Sequence, residues 1–408
     1  MEHYESIKKH VRGDRLEEKD EGRLLQRLKE VSADMREKGI RYQNGRRVFT
    51  GYAYAELYDW DLYFENLFLS YMGVSMFCRN GVEMFLDQQH ESGFVPRTMG
   101  KVYPKPRHHF KPFLAQIALL GCRQSGDYRW LEDSYFQKLK RYEEYWFRHC
   151  DADKNGLCFW DGSDHSGMDN QALRLGYDGV MEYEGVDLNC YLVREWWAMA
   201  ELAAELGSQA EARAFKARGD ELARKIDEVF WCEEDGFYYD RSEITGELNR
   251  VKAATGFFPM WLGTAPKERV QRLVQEHLLN PEEFWTPYPM ATWAKNETGF
   301  YPGRKGDECS WMGAAWAPVN YIVFHGLLNY GYKKEAGMLA DKTYAMAISE
   351  DCTREFYNSI TGSGLGLCPF WGWSTLCYVM PLEFDLGYDP TNLEGRDFVR
   401  IRELSLFP

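Results

Sequence analysis

The chain has 408 residues, of which 45% are hydrophobic and 27% charged, and a formal net charge of −14. That mix is ordinary for a water-soluble globular protein, and the length suits one barrel-type domain over residues 1–408. The acidic balance excludes the basic face that a nucleic acid or an anionic membrane partner needs.

No stretch approaches the roughly 18 uninterrupted apolar residues of a membrane span. Residues 1–30 are dense in Lys, Arg, Glu and Asp and hold no apolar leader core. Ten cysteines are scattered without a C-x-x-C pair and read as mostly buried thiols in a reducing compartment. A cytoplasmic protein without metal or cofactor is therefore expected. Aromatic residues reach 16%, including 14 Trp and 26 Tyr, many of them in loops with Gly or Pro. Stacking on a sugar face and packing of a large core both explain such rings.

Apolar spacings of three and four predict helices in chain order over 21–37, 61–79, 110–125, 131–148, 187–206, 209–229, 266–279, 317–329 and 333–348. Gly207 and Gly331 fall just past helix ends, where a left-handed cap favours glycine. Asn155-Gly156 and Asp235-Gly236 precede alternating aromatics and read as hairpin turns. Ser92 to Pro96 and Thr255 to Pro259 read as two further turns. Their spacing is irregular and defines no sequence repeat. About ten helices, no strong strand run and no linker predict an all-α barrel of helix pairs.

Four segments carry residues suited to chemistry. The first is Asp161-Gly-Ser-Asp164-His165-Ser166-Gly167-Met168-Asp169-Asn170, whose carboxylates and glycines suit a cleft or a solvated turn. The second is Thr353-Arg354-Glu355-Phe356-Tyr357-Asn358, followed by Phe370-Trp371-Gly372-Trp373. Glu355 sits beside a cation and rings, a setting for a tuned base or for a plain surface ion pair. The third, Tyr58-Asp59-Trp60-Asp61, opens a helix, so either Asp is also a candidate cap. The fourth runs from Cys309 through Trp311, Met312 and Trp316 to Asn320-Tyr321. Asp151-x-Asp153-x-Asn155-Gly156 matches half of an EF-hand loop, but Gly162 stands where the bidentate Glu belongs. A calcium loop of another kind stays open.

Together these segments resemble the trehalase-like (α/α)6 glycosidases, especially glycoside hydrolase family 63, over about Tyr58 to Trp373. The motifs in order are Trp60-Asp61, Gly93 to Pro96, Lys111 to Ala115, Ser166-Gly167-Met168-Asp169, Asp187 to Leu192, Trp311 to Tyr321 and Arg354 to Tyr357. The resemblance implies an (α/α)6 toroid and inverting hydrolysis of a small α-glucoside or α-mannoside, of the disaccharide or glycosyl-glycerate type. It implies Asp169 as general acid and Glu355 as general base, with carboxyls ~6.5–9.5 Å apart to admit a water. Tyr58, Trp60, Asp61, Asn170, Trp311, Trp316, Asn320, Tyr357, Trp371 and Trp373 are implied to bind the sugar. His165, Met312 and Phe110 depart from the family pattern and are expected to face the sugar or its aglycone. Glu182 and Glu184 are reserve candidates for the base.

Two other readings compete. A sugar epimerase on the same toroid would use paired histidines, and His108-His109 are the adjacent pair, on one helix pointing apart. A sugar-binding protein without turnover is the other. The expected partner in every case is a small carbohydrate.

Overall fold

The computed structural model describes residues 3–5, 18–52, 56–100, 107–132, 134–303, 309–392, 397–401 and 404, with side chains from residue 22 onward. Helices dominate, in an alternation of two types. One type is buried all round. Helix α2 (Asp59–Ser70) buries every residue, and α10 (Ala317–Asn329) buries the continuous run from Ala317 to Leu327. The other type buries one stripe. In α7 (Gln209–Val229) only Ala212, Phe215, Gly219, Leu222, Ala223 and Ile226 are buried, the three-and-four spacing of an amphipathic surface helix.

This difference sorts the helices into two layers. The inner ones are α2, α4 (Leu114–Ser125), α6 (Val186–Glu205), the single turn α8 (Pro259–Leu262), α10 and α12 (Leu376–Leu386). Each packs on the next, and α12 returns to α2, which closes the ring. The outer ones are α1 (Glu18–Asp34), α3 (Met76–Leu86), α5 (Tyr135–His149), α7, α9 (Lys267–Arg272) and α11 (Lys333–Ser349). Six inner and six outer helices among the described residues make the (α/α)6 toroid that the motifs imply. Helix α4 has no side-chain cap of its own. Glu195 of α6 accepts from the backbone N–H of Ala115 at 2.6 Å and Gln116 at 3.1 Å, so one inner helix caps its neighbour.

The predicted bounds of α7 and α10 match the structure, and Gly207 and Gly331 adopt the expected positive φ of 83° and 79°. The predicted helix 61–79 is two helices, because the chain reverses at Gly73 with φ 70°. The predicted helix 110–125 starts four residues late, since Lys111 precedes Pro112 and is held extended by Asp59. Helix α12 escaped prediction because Pro381 lies inside it and breaks the pattern.

Short antiparallel ribbons sit between helices. Trp231–Cys232 pairs with Phe237–Tyr238 around Asp235-Gly236, as predicted. No such ribbon forms after Asn155-Gly156, where Phe159 instead bridges to Glu184. The histidine pair is not on a helix: His109 lies in an extended segment bridged to Pro96. Eight cysteines are thiols, seven of them buried, but Cys352 and Cys368 form a disulfide, which the thiol reading did not foresee. No helix among the described residues is long and apolar enough to cross a membrane.

Candidate active site

The cleft residues lie at the N-terminal ends of the inner helices. Asp59, Trp60 and Asp61 open α2. Asp59 is no ordinary cap. Its carboxylate pairs with the Lys111 ammonium at 2.9 and 3.0 Å, and both side chains are wholly buried. The Lys111 backbone N–H donates to the same carboxylate at 3.2 Å, which ties the start of α2 to the segment before α4. Burial lowers the Lys111 ammonium to about 8. Arg97 is 5% exposed and faces Asp59, Asp169, Asp164 and Asp61.

Asp61 accepts from the Tyr52 hydroxyl at 2.8 Å. Burial pushes its carboxyl up to about 7 from an ordinary 3.8. The folded chain therefore keeps a proton that the unfolded chain releases. This contribution to stability is present below about pH 4 and is lost as pH rises through 7. In Asp61→Asn the fall of unfolding free energy between pH 4 and 7 is expected to be shallower than in the wild type. Urea midpoints across that range check it, and equal slopes contradict it.

The Asp169 loop folds onto these residues. Gly167 has φ 82°, and a Cβ there would lie 3.0 Å from the Trp60 ring and 3.1 Å from Lys111. Only glycine lets the Ser166-Gly167-Met168-Asp169 turn come so close. From below, Arg174 holds the loop. It is wholly buried and pairs with Asp187 at 3.0 Å and Asp240 at 3.3 Å. Asp187 also accepts from the Trp160 indole at 2.9 Å. The Asp169 side chain is exposed, with Asn170 half-buried beside it.

Asn170 links this loop to the opposite wall. Its amide donates to Cys309 O at 2.7 Å and accepts from Trp311 N–H at 3.0 Å. Gln171 adds a bond to Trp311 O at 2.6 Å. The Cys309 thiol in turn lies 3.7 Å from Glu355 Oε1. The other Glu355 oxygen accepts from Leu367 N–H at 2.8 Å, and a Cβ on Gly366 would lie 2.4 Å from it. Trp373 donates from its indole to Glu355 O at 3.0 Å. Thus the 309–311 segment touches both the acid loop and the Glu355 side chain.

Between the two loops lies a cluster of rings. Trp60 is 5.4 Å from Trp311 and 5.6 Å from Trp373, and Trp311 stacks on Trp316 at 3.6 Å. Phe356 extends the stack beyond Trp316 at 4.4 Å. These Trp side chains are between 1% and 5% exposed, so ring edges rather than broad faces meet the cleft. Tyr58 stands half-buried at the entry to α2, edge-on to Tyr52 at 5.9 Å.

Three further residues expected at the sugar are tied into the surrounding packing. Asn320 bonds Pro289 O, Met290 N–H and the Thr343 hydroxyl, and so fastens a loop to α10 and α11. The Tyr357 backbone pairs with Ala315, and its ring is 1% exposed. Trp371 is equally buried and donates to Thr50 O at 2.9 Å.

Two of the three departures are core residues, contrary to expectation. His165 is 2% exposed, accepts from Asp161 N–H at 3.3 Å and bonds His109 O at 2.9 Å through its other nitrogen. Phe110 is wholly buried, edge-on to Phe85 at 4.6 Å. Met312 is half-buried and its tip lies against Gly299.

The reserve carboxylates are occupied. Glu184 is wholly buried and paired with Arg241 at 2.7 Å, and Glu182 accepts from Ser242 at 2.7 Å. His109 is also fixed. It accepts from Val95 N–H at 3.0 Å, bonds Tyr142 O at 3.3 Å, and burial lowers it to about 3, which removes it as a proton carrier near neutrality. In the half EF-hand loop, Asp151, Asp153 and Glu243 bring carboxylate oxygens within 4.8 Å of one another. There Glu243 caps the backbone N–H groups of Ala152 and Asp153.

The sequence reading missed Arg97, Asp59 with Lys111, and Arg174. Lys111 and Arg97 do flank recognised motifs, being the first residue of the Lys-Pro segment and the residue after Gly-Phe-Val-Pro. Arg174 carried no local signal.

A closed ring of helix pairs with carboxylates and tryptophans at the inner N-terminal ends defines a glycoside hydrolase domain of the (α/α)6 type. The family model of the mannosylglycerate hydrolase MGH1-like glycoside hydrolase domain matches residues 54–374, and the chain belongs to that family. A mannosylglycerate hydrolase from Thermus thermophilus is 34% identical over 143 residues, 34% of this chain and 32% of that protein. A mannosylglycerate hydrolase from Rubrobacter radiotolerans is 29% identical over 196 residues, 47% of this chain and 42% of that protein. The matched stretches thus span less than half the length of these curated relatives. The crystal structure of a GH63 mannosylglycerate hydrolase from a second Thermus thermophilus strain, with Tris and D-glycerate, superposes with TM-score 0.68 at 22% identity, covering 90% of this chain and 100% of that one. That likeness concerns the fold.

Proposed function

We propose that the chain 1–408 acts as one catalytic domain, an inverting α-glycosidase that cleaves a small glycosyl-glycerate or related α-glucoside or α-mannoside. Asp169 protonates the leaving oxygen, and Glu355 draws a proton from water on the opposite face of the sugar. The observation that carries this reading is the bridge through Asn170, Cys309 and Trp311, which joins the Asp169 loop to Glu355 around the Trp60–Trp311–Trp373 cluster. Their surroundings suit separate roles. Asp169 is exposed at the cleft mouth, where a leaving group departs, and Glu355 is half-buried against Trp373 and Leu367, where one water can be held.

The glycerate aglycone is supported by the names of the two curated relatives, both mannosylglycerate hydrolases. We place the protein in the cytoplasm because eight of its ten cysteines stay thiols, seven of them buried, against the one disulfide Cys352–Cys368. The epimerase reading has no support at His109, whose ring nitrogens are both engaged.

Mannosylglycerate, glucosylglycerate and trehalose offered separately decide the aglycone. Release of D-glycerate with kcat/KM at least tenfold above that for trehalose is expected. Equal or faster cleavage of trehalose would move the assignment to a disaccharide.

A further inference from the structure

The active-site residues occupy one mouth of the toroid. A second cavity, of about 690 Å³, opens at the other. Its walls are residues of α2, α4 and α6, the first half of α7, the end of α8, the last residue of α10 and the segment after α12. Tyr63 and Leu67 of α2 line it, one and two turns beyond Asp59 to Asp61. The size lies within the range of small-molecule sites.

The lining is chemically biased. Arg123, Arg194, Arg213 and Lys216 contribute four positive charges, and Glu201 and Asp389 two negative ones, on a chain of net charge −14. Arg123 pairs with Glu201, and Lys216 pairs with Asp220 outside the lining. Asp389 is directed elsewhere: it lies 3.5 Å from His325 and accepts from the Thr391 N–H at 2.8 Å and hydroxyl at 2.7 Å. Arg194 is left with a neutral partner. Its Nε donates to the Gln116 amide oxygen at 3.3 Å, and its guanidinium lies 3.8 Å over the Trp261 ring. Among the described residues it has no carboxylate within 4.0 Å.

Two of the lining residues also carry a buried donor without an acceptor. The Tyr63 hydroxyl and the Trp261 indole N–H have no hydrogen-bond partner, and both residues are 2% exposed. Unsatisfied buried donors are few in folded proteins, and a bound group is one reason for them. A half-buried guanidinium without a carboxylate partner suits an oxyanion, and Leu67, Leu119, Leu120 and Leu262 supply apolar walls for the body attached to it.

We propose that this cavity is a second ligand site, separate from the carboxylate cleft, for a small amphipathic anion: a carboxylate or phosphate monoester on an apolar body, held by Arg194. The full-length chain is titrated calorimetrically with phenyl phosphate, benzoate and uncharged phenol. At least one anion is expected to bind one per chain, at least tenfold tighter than phenol. Arg194→Met keeps the stem over Trp261 and should weaken that anion at least tenfold, while glycoside turnover stays within twofold. Ala204→Trp, which projects a ring into the cavity edge and leaves Arg194 in place, should abolish binding, and it decides the matter should Arg194→Met not fold. The relative strength of phosphate and carboxylate identifies the head group. Absence of saturable binding by either anion at millimolar concentration, or an affinity that the folded variants leave unchanged, overturns the proposal.

Discussion

Glu355→Gln is expected to lower kcat by about 100- to 10,000-fold on every substrate, the range a positioned proton-transfer group contributes. The amide keeps the shape of the side chain and its acceptor for Leu367 N–H, so thermal stability should hardly change. Asp169→Asn should act differently. An acid matters in proportion to how poor the leaving group is. With a sugar or glycerate aglycone the loss should be as large as for Glu355→Gln. With a fluoride or nitrophenolate leaving group, which departs without protonation, most of the rate should return. Steady-state kinetics on a natural-type and an activated glycoside check both. Similar losses for Asp169→Asn on the two substrates would remove it from the acid role.

The second large effect is on folding. Arg174 is the one cation shown pairing with the buried carboxylates of Asp187 and Asp240. Arg174→Met leaves those charges without a partner in the core and should cost about 3–5 kcal/mol of stability. Burial already raises Asp240 to about 6. In the variant the Asp240 carboxyl gains further reason to hold a proton, so the native state binds a proton that the unfolded chain releases. The loss should therefore be smaller at pH 5 than at pH 8. Arg174 also bonds the Thr255 hydroxyl at 2.8 Å, and Asn249 holds the Leu173 and Arg174 carbonyls at 3.0 and 2.8 Å. Residual folded variant should then show reduced kcat, because the loop bearing Asp169 has lost its anchor. Chemical denaturation at the two pH values is the measurement. A pH-independent loss under 1 kcal/mol would contradict the buried-triad account.

How much of this was legible depended on whether the cause was local. The outer helix α7 announces itself because one stripe is apolar and the rest is not, and its predicted bounds are the observed ones. Helix α12 is a continuous apolar run from Leu376 to Leu382 with Pro381 inside it, so no helical stripe marks it. The site motifs were legible as residue types: carboxylates, glycines and tryptophans within a few positions of each other. The direction in which each side chain points was not. Asn320 and Trp371 stand next to cleft residues in the sequence, but their side-chain polar atoms are taken up by Thr343 and Thr50 from other segments, while Tyr357 pairs its backbone with Ala315 and its ring is buried. His165 precedes the acid motif by a single residue and still faces inward, stacked 5.4 Å from Trp146. The Asp59–Lys111 pair joins residues 52 positions apart, a proximity no local spacing can reveal.

Stereochemistry tests the central claim most directly. Proton NMR during the first minutes of hydrolysis of an α-mannosyl- or α-glucosylglycerate reports which anomer is released before mutarotation mixes them. A base that activates water on the face opposite the leaving group gives the β-anomer first, and Glu355→Gln abolishes the signal. Initial release of the α-anomer would require a covalent glycosyl-enzyme, and the assignment of Asp169 and Glu355 as an acid and base flanking one water would then be wrong.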